Sequence, residues 1–221
     1  MRRVVVLRPE PGASETVARA RKLGLDAVAI PLFEVEAVDW SAPEAGGFDG
    51  LLLTSANAVR HGGQQLHGLR GLPVYAVGKA TGEAAREAGF DVKSVGDAGV
   101  DRLLDSIEPD LKLLHLCGED WKVPEQASQD ITAVPVYRSY ALPELDLGAV
   151  GDSVVLIHSP RAGRRLAELV DDRRTIAIAA ISEGAAEAAG EGWRAVEAAE
   201  KPDDEALLAL AARLCNKPPR Q

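Results

Sequence analysis

Short segments rich in β-branched and aliphatic residues recur along the chain at 4–7, 26–32, 50–53, 73–77 and 91–95, then at 112–116, 131–137, 153–157, 175–181 and 194–198. Between them lie Ala/Glu/Arg-rich stretches, such as 14–23 and 81–88, that read as helices. Runs that are apolar throughout, rather than alternating, belong to strands buried on both faces. Strands that alternate with helices build parallel sheets covered on both sides. Right-handed crossovers then predict an α/β protein of two doubly wound, parallel five-stranded sheets of flavodoxin-like kind.

The pattern is duplicated. Leu52-Leu53-Thr54-Ser55 with Asn57 and Arg60 parallels Leu156-Ile157-His158-Ser159 with Arg161 and Arg164. Val74 to Gly78, followed by Lys79 and Thr81, parallels Ala177 to Ile181, followed by Ser182-Glu183-Gly184-Ala185. Gly89-Phe90 is matched by Gly192-Trp193, and the acidic helix start at Asp101 by that at Asp204. Ile30-Pro31-Leu32-Phe33 is echoed by Val134-Pro135-Val136-Tyr137, and Val4 to Leu7 by Leu113 to Leu116. Any one pair could arise by chance, but the ordered set points to two related lobes, with function expected in the cleft between them.

Composition narrows the function class. With 46% apolar and 27% charged residues the chain has the balance of a globular protein, and at 221 residues it is comfortable for two small lobes. A net charge of −9 argues against nucleic acid or an anionic membrane as partner. It leaves room for a small anionic ligand held by a few arginines and backbone N–H groups. Cys117 and Cys215 are isolated thiols, without the spacing of a disulfide framework or a zinc site, and fit a reducing compartment. The apolar run after Arg2-Arg3 stops at Arg8-Pro9, too short for a secretory segment, and no stretch is long enough to span a bilayer. The expectation is a cytoplasmic protein.

Ligands of open parallel sheets bind beyond the carboxyl ends of the strands, where helix N-termini point. Residues of that character are Thr54, Ser55 and Asn57 after the strand ending at Leu53, and His158, Ser159 and Arg161 at the duplicated position. Gly78, Lys79 and Thr81 follow Val77, Gly118 and Glu119 follow Leu116, and Arg8 follows the first strand. Orphan N–H groups there favour an anion such as a carboxylate. Each Ser or Thr taken singly is better accounted for by helix capping, and Arg8 equally well by an ordinary surface role; for the set, clustered on one edge of both lobes, binding is at least as good a reading. No P-loop, G-x-G-x-x-G, nucleophile elbow or metal-ligand spacing occurs among the motifs, so no cofactor or metal is expected. His115, inside an apolar strand, reads as a satisfied core residue.

Thr54-Ser55-Ala56-Asn57-Ala58-Val59, Val77-Gly78-Lys79-Ala80-Thr81, Pro135-Val136-Tyr137-Arg138-Ser139 and Ser159-Pro160 resemble uroporphyrinogen-III synthase, as do Leu7-Arg8-Pro9 and Ile30-Pro31-Leu32. The resemblance runs in order over essentially the whole chain. It implies a cofactor-free, monomeric lyase of tetrapyrrole biosynthesis that closes hydroxymethylbilane into uroporphyrinogen III while inverting the last pyrrole ring. It also implies two lobes joined by a two-stranded linker crossed near 32–38 and 136–142, with 1–35 plus 140–221 forming one lobe and 38–135 the other.

Tyr137 matches the family's linker tyrosine, the candidate for assisting departure of the substrate hydroxyl, whereas Phe33 at the duplicated position offers a packing role for an aromatic there. The resemblance assigns substrate contacts to Thr54, Ser55, Thr81 and Ser159; Arg8, Asn57, Gly78, Lys79, Gly118, Arg161 and Ser182 join them from the strand-end reading. The chain departs from the family where Gly184-Ala185 stand in place of threonines, and a reduced helix is expected between Gly118 and Asp130. A two-lobed binding protein for an anionic metabolite, and a pair of interaction modules, are the rival readings.

Overall fold

All ten segments become strands, the two outer ones, at 91–95 and 194–198, with polar residues interspersed. The computed structural model describes residues 2–97, 99–121, 124 and 127–216. In chain order the elements are β1 (Val4–Val6), α1 (Gly12–Lys22), β2 (Ala27–Ala29), β3 (Phe33–Ala37), β4 (Gly50–Leu53), α2 (Ala56–His61), β5 (Val74–Val77), α3 (Lys79–Glu87), β6 (Val92–Gly96), α4 (Val100–Asp105), β7 (Lys112–Gly118) and β8 (Asp130–Ala141). They continue with β9 (Val154–Ile157), α5 (Pro160–Leu169), β10 (Ala177–Ala180), α6 (Glu183–Ala189), β11 (Ala195–Ala198) and α7 (Asp204–Asn216). Short 3-10 turns lie at Ala45–Gly47 and Gly63–Leu69. The reduced helix expected between Gly118 and Asp130 falls partly on 122–123 and 125–126, outside the described residues.

The chain divides into two compact units, Met1–Glu34 with Tyr140–Gln221 (lobe 1) and Val35–Ser139 (lobe 2). One sheet runs β2-β1-β9-β10-β11, all parallel; the other runs β3-β8-β7-β4-β5-β6. The second sheet has six strands where five were expected. The additional strand is β3, whose Phe-Glu-Val-Glu-Ala sequence alternates instead of forming an aliphatic run. It pairs with the far end of the twelve-residue β8. Val38 N–H donates to Val136 O and Leu142 N–H to Leu32 O, so partner numbers share a constant sum and the pair is antiparallel. Glu36 meets Arg138, and Glu34 meets the Tyr140 hydroxyl, on opposed positions of the same ladder.

The duplication explains the strand orders. Counting each repeat from β1 and from β7, both sheets run second, first, third, fourth, fifth, with β1 and β2 equivalent to β7 and β8, and β9–β11 equivalent to β4–β6. The reversal of strand order, where such sheets open a crevice for ligands, falls between β1 and β9 in lobe 1 and between β7 and β4 in lobe 2.

Both faces of each sheet are covered, as continuous apolar strands require. In β1, Val4 and Val6 pack with Val17, Ala20, Leu207 and Leu214 of α1 and α7, while Val5 and the following Leu7 pack with Ala162, Leu166, Ala185 and Ala189 of α5 and α6. Burying each such aliphatic side chain stabilises by about 1.5–3 kcal/mol. Lobe 2 repeats the scheme, with Leu51 and Leu53 on one face and Leu52 on the other.

Candidate active site

In lobe 2, β4 and β7 are in register with Leu53 opposite Leu116, so the residues after these strands emerge side by side. The Thr54 hydroxyl lies 3.0 Å from His115 Nε2. His115 is 3% exposed, stacks edge-on to Trp121 at 5.1 Å, and is pushed by burial to a pKa of about 4, so it is neutral at physiological pH. Its Nδ1 has no hydrogen-bond partner among the described residues, so His115 is buried but only half satisfied. A buried lone pair without a partner costs less than a buried N–H without one. That places the proton on Nε2, donating to Thr54 and leaving the threonine O–H to donate elsewhere.

Tyr137 sits on β8 beside this pair. Its Cα partner in the ladder is Gly118, and a Cβ on Gly118 would lie 2.8 Å from the tyrosine ring. Only glycine lets the phenol rest on the β7 backbone. Glu119 N–H donates to Tyr137 O at 3.0 Å, closing the turn after β7. Burial raises the phenol pKa, a hydrogen bond with the Ser55 side chain works against it, and neighbouring Cys117 adds to it. The net rise keeps the O–H protonated at neutral pH. Burial also lifts the Cys117 thiol to about 11, which excludes a thiolate there.

The other polar residues of lobe 2 spread along the same strand ends. Ser55 caps α2, its hydroxyl accepting from Asn57 N–H at 3.2 Å. Gly78 precedes α3 with φ +84°, a left-handed conformation that favours glycine, and its N–H is taken by Gly96 O. Thr81 is buried, while Lys79 extends into solvent and pairs with Glu83 at 3.7 Å.

In lobe 1 the corresponding turns carry Arg8, Ser159, Arg161 and Ser182. Ser159 caps α5 by accepting from Ala162 N–H at 3.2 Å, with Pro160 in the first turn, and Ser182 caps α6 through Ala185 N–H at 3.4 Å. Arg161 stacks its guanidinium over Phe33 at 4.5 Å. Phe33 thus has a definite packing partner.

Asp204, at the start of α7, reads in sequence as an ordinary acidic helix start. Its Oδ1 accepts from Thr16 and meets His158 Nε2, both at 3.0 Å, and its Oδ2 accepts from Arg19 Nε at 2.8 Å. Arg8 Nη1 stands 3.8 Å away. Burial works to raise the Asp204 pKa, but its bonds with His158 and Arg19 outweigh this and bring it to about 2. Burial lowers the His158 pKa against the opposing pull of Asp204, so the neutral ring donates from Nε2. Among the described residues no His/Cys/Asp/Glu cluster could hold a metal ion, and no helix is long and apolar enough to cross a membrane.

The family model for uroporphyrinogen-III synthase HemD matches residues 14–209. The chain belongs to the uroporphyrinogen-III synthase family. Its fold is similar to the crystal structure of uroporphyrinogen-III synthetase from Helicobacter pylori, with a TM-score of 0.65 and 19% identity over 97% of this chain and 100% of that one. A mutant uroporphyrinogen III synthase from Thermus thermophilus is similar at a TM-score of 0.56, again with 19% identity and the same coverage. No curated protein matches by sequence. Family membership makes the chain an enzyme of tetrapyrrole (haem) biosynthesis that cyclises hydroxymethylbilane to uroporphyrinogen III with inversion of ring D.

Proposed function

We propose that the protein performs this cyclisation as a cofactor-free lyase, with Tyr137 assisting departure of the substrate hydroxyl. The C–O bond of the terminal hydroxymethyl group breaks as the pyrrole nitrogen supplies electrons. The leaving oxygen takes a proton donated from the phenol and departs as water, leaving an azafulvenium cation beside the phenolate; the phenolate takes back the pyrrole N–H proton, giving the azafulvene that closes through a spiro intermediate. The observation carrying this reading is the family match over 14–209. The protonated, half-buried phenol on Gly118 supports the role of Tyr137, because a group that stays neutral at pH 7 can donate.

Thr54, Ser55, Asn57, Lys79, Thr81 and Gly118 serve lobe 2 as its substrate-binding edge, with Gly78, its N–H taken by Gly96, shaping the turn into α3, and Arg8, Ser159, Arg161 and Ser182 serve lobe 1. A substrate with eight carboxylates suits helix N-termini, hydroxyl donors and guanidiniums. Catalysis is then chiefly positioning and protection of a reactive intermediate. The lobes fit a flavodoxin-like description, with the β3–β8 ladder as the two-stranded linker. A cytoplasmic monomer free of nucleic acid suits the −9 charge and the small-molecule substrate.

The test is a coupled assay with freshly generated hydroxymethylbilane, oxidation of the products and separation of the I and III isomers. Protein-dependent isomer III is expected. Isomer I alone, at the spontaneous rate and from folded protein, would sink the proposal.

A further inference from the structure

Four side chains converge on Asp204 from separate parts of lobe 1: Thr16 and Arg19 from α1, Arg8 from the turn after β1, and His158 from the turn after β9. The register of β1 with β9 places Val6 opposite Leu156, so Arg8 and His158 leave the sheet as neighbours. They do so where strand order reverses, the position at which doubly wound sheets take ligands. Asp204 reaches the same edge because α7 follows β11, and every strand of this sheet is parallel.

A carboxylate on the edge that receives a polycarboxylate repels the substrate unless its own charge is occupied. Here a buried hydroxyl, a close guanidinium and a buried imidazole N–H occupy both oxygens of Asp204. Arg8 is held differently. Its guanidinium lies over the first turn of α1, where a Cβ on Gly12 would be 2.5 Å from Nε, and about a third of its side chain is exposed.

The fold itself does not require this cluster. At the duplicated positions of lobe 2, Cys117 replaces Arg8, Thr54 replaces His158, and Asp101 is exposed on α4. The same strand order stands without the convergence. The buried His158 also has an Nδ1 without a partner among the described residues, an unfavourable arrangement if the cluster served stability alone.

We infer that Asp204 is a positioning residue for substrate binding, holding Arg8 and His158 at the strand-order reversal of lobe 1 so that the Arg8 guanidinium meets a substrate carboxylate. This rests on the synthase reading above. It adds a residue that touches no reacting atom and acts through Arg8.

The experiment measures kcat and KM for hydroxymethylbilane, with isomer analysis and melting curves, in the wild type, Asp204→Asn, Arg8→Gln, the double variant and Asp101→Asn. Asp204→Asn and Arg8→Gln should each raise KM roughly tenfold with a much smaller change in kcat. The double variant should be no worse than the poorer single variant, since both remove one interaction. Asp101→Asn should match the wild type. Arg8→Gln keeps the inference testable even if Asp204→Asn folds poorly, because its side chain is partly exposed.

An unchanged KM in Arg8→Gln, or in folded Asp204→Asn, would overturn the inference, as would KM factors that multiply in the double variant. If the wild type itself makes no isomer III, the synthase reading fails and takes this inference with it. An active wild type with flat variants overturns the inference alone.

Discussion

The ring of Tyr137 rests on the backbone of Gly118, so closely that a Cβ there would stand 2.8 Å from Cε2 and 2.9 Å from Cζ. The position of the phenol is therefore set by the absence of a side chain on the neighbouring strand. Gly118→Ala must displace the ring or spread β7 from β8. Overpacking of this kind costs about 1–3 kcal/mol. The expected outcome is a lowered melting temperature together with a loss of isomer III formation larger than the lost folded fraction, read by calorimetry and the coupled assay.

Tyr137→Phe keeps the ring and its packing while removing the proton. Turnover should fall by about 10²-fold, the low end for loss of a general acid, with the melting temperature nearly unchanged. Near-normal turnover would return Tyr137 to packing alone, the role Phe33 has under Arg161.

Ser55 and Ser159 cap equivalent helices through similar 3.2 Å bonds, so mutation to Ala should cost each lobe about 1 kcal/mol. Only the Ser55 side chain also bears on the Tyr137 phenol, whose pKa it pulls down against burial. Ser55→Ala should therefore lower kcat more than Ser159→Ala at equal stability, as steady-state kinetics and denaturant titration would show.

Acid should unfold the protein in two windows. His115 titrates near 4 when folded and near 6.5 when unfolded, so the unfolded chain binds more protons between these values. Stability then falls with decreasing pH across pH 6.5 to 4, by up to about 1.4 kcal/mol per pH unit from this group. His158, also depressed, begins to contribute in the same direction below pH 6.5. Asp204, brought to about 2 from 3.8, adds stability that is whole above pH 4 and lost as pH falls toward 2. Urea titrations between pH 7 and pH 3 would check this. A flat midpoint from pH 7 to pH 4.5 would exclude the histidine contribution.

Much of the architecture was legible because it depends on local chemistry repeated many times. Continuous aliphatic runs such as Val4 to Leu7 and Val154 to Ile157, bounded by turn residues, read as strands covered on both faces, and the serine caps follow from residues adjacent in sequence. β3 escaped that criterion: Glu34 and Glu36 face Tyr140 and Arg138, partners more than a hundred residues away, and without them the segment has no aliphatic signature.

The same divide runs through the candidate site. The duplication, ten of the strands and the polar residues that follow them can be read along the chain, since each is written in neighbouring positions. Packing in three dimensions is what sets Gly118 under Tyr137, His115 against Thr54, and Asp204 among Thr16, Arg19, Arg8 and His158. Those contacts depend on strand register and helix placement, which bring together residues 19 to 196 positions apart. A carboxylate at a helix start looks the same in sequence whether water surrounds it, as at Asp101, or two arginines, a threonine and a histidine do, as at Asp204.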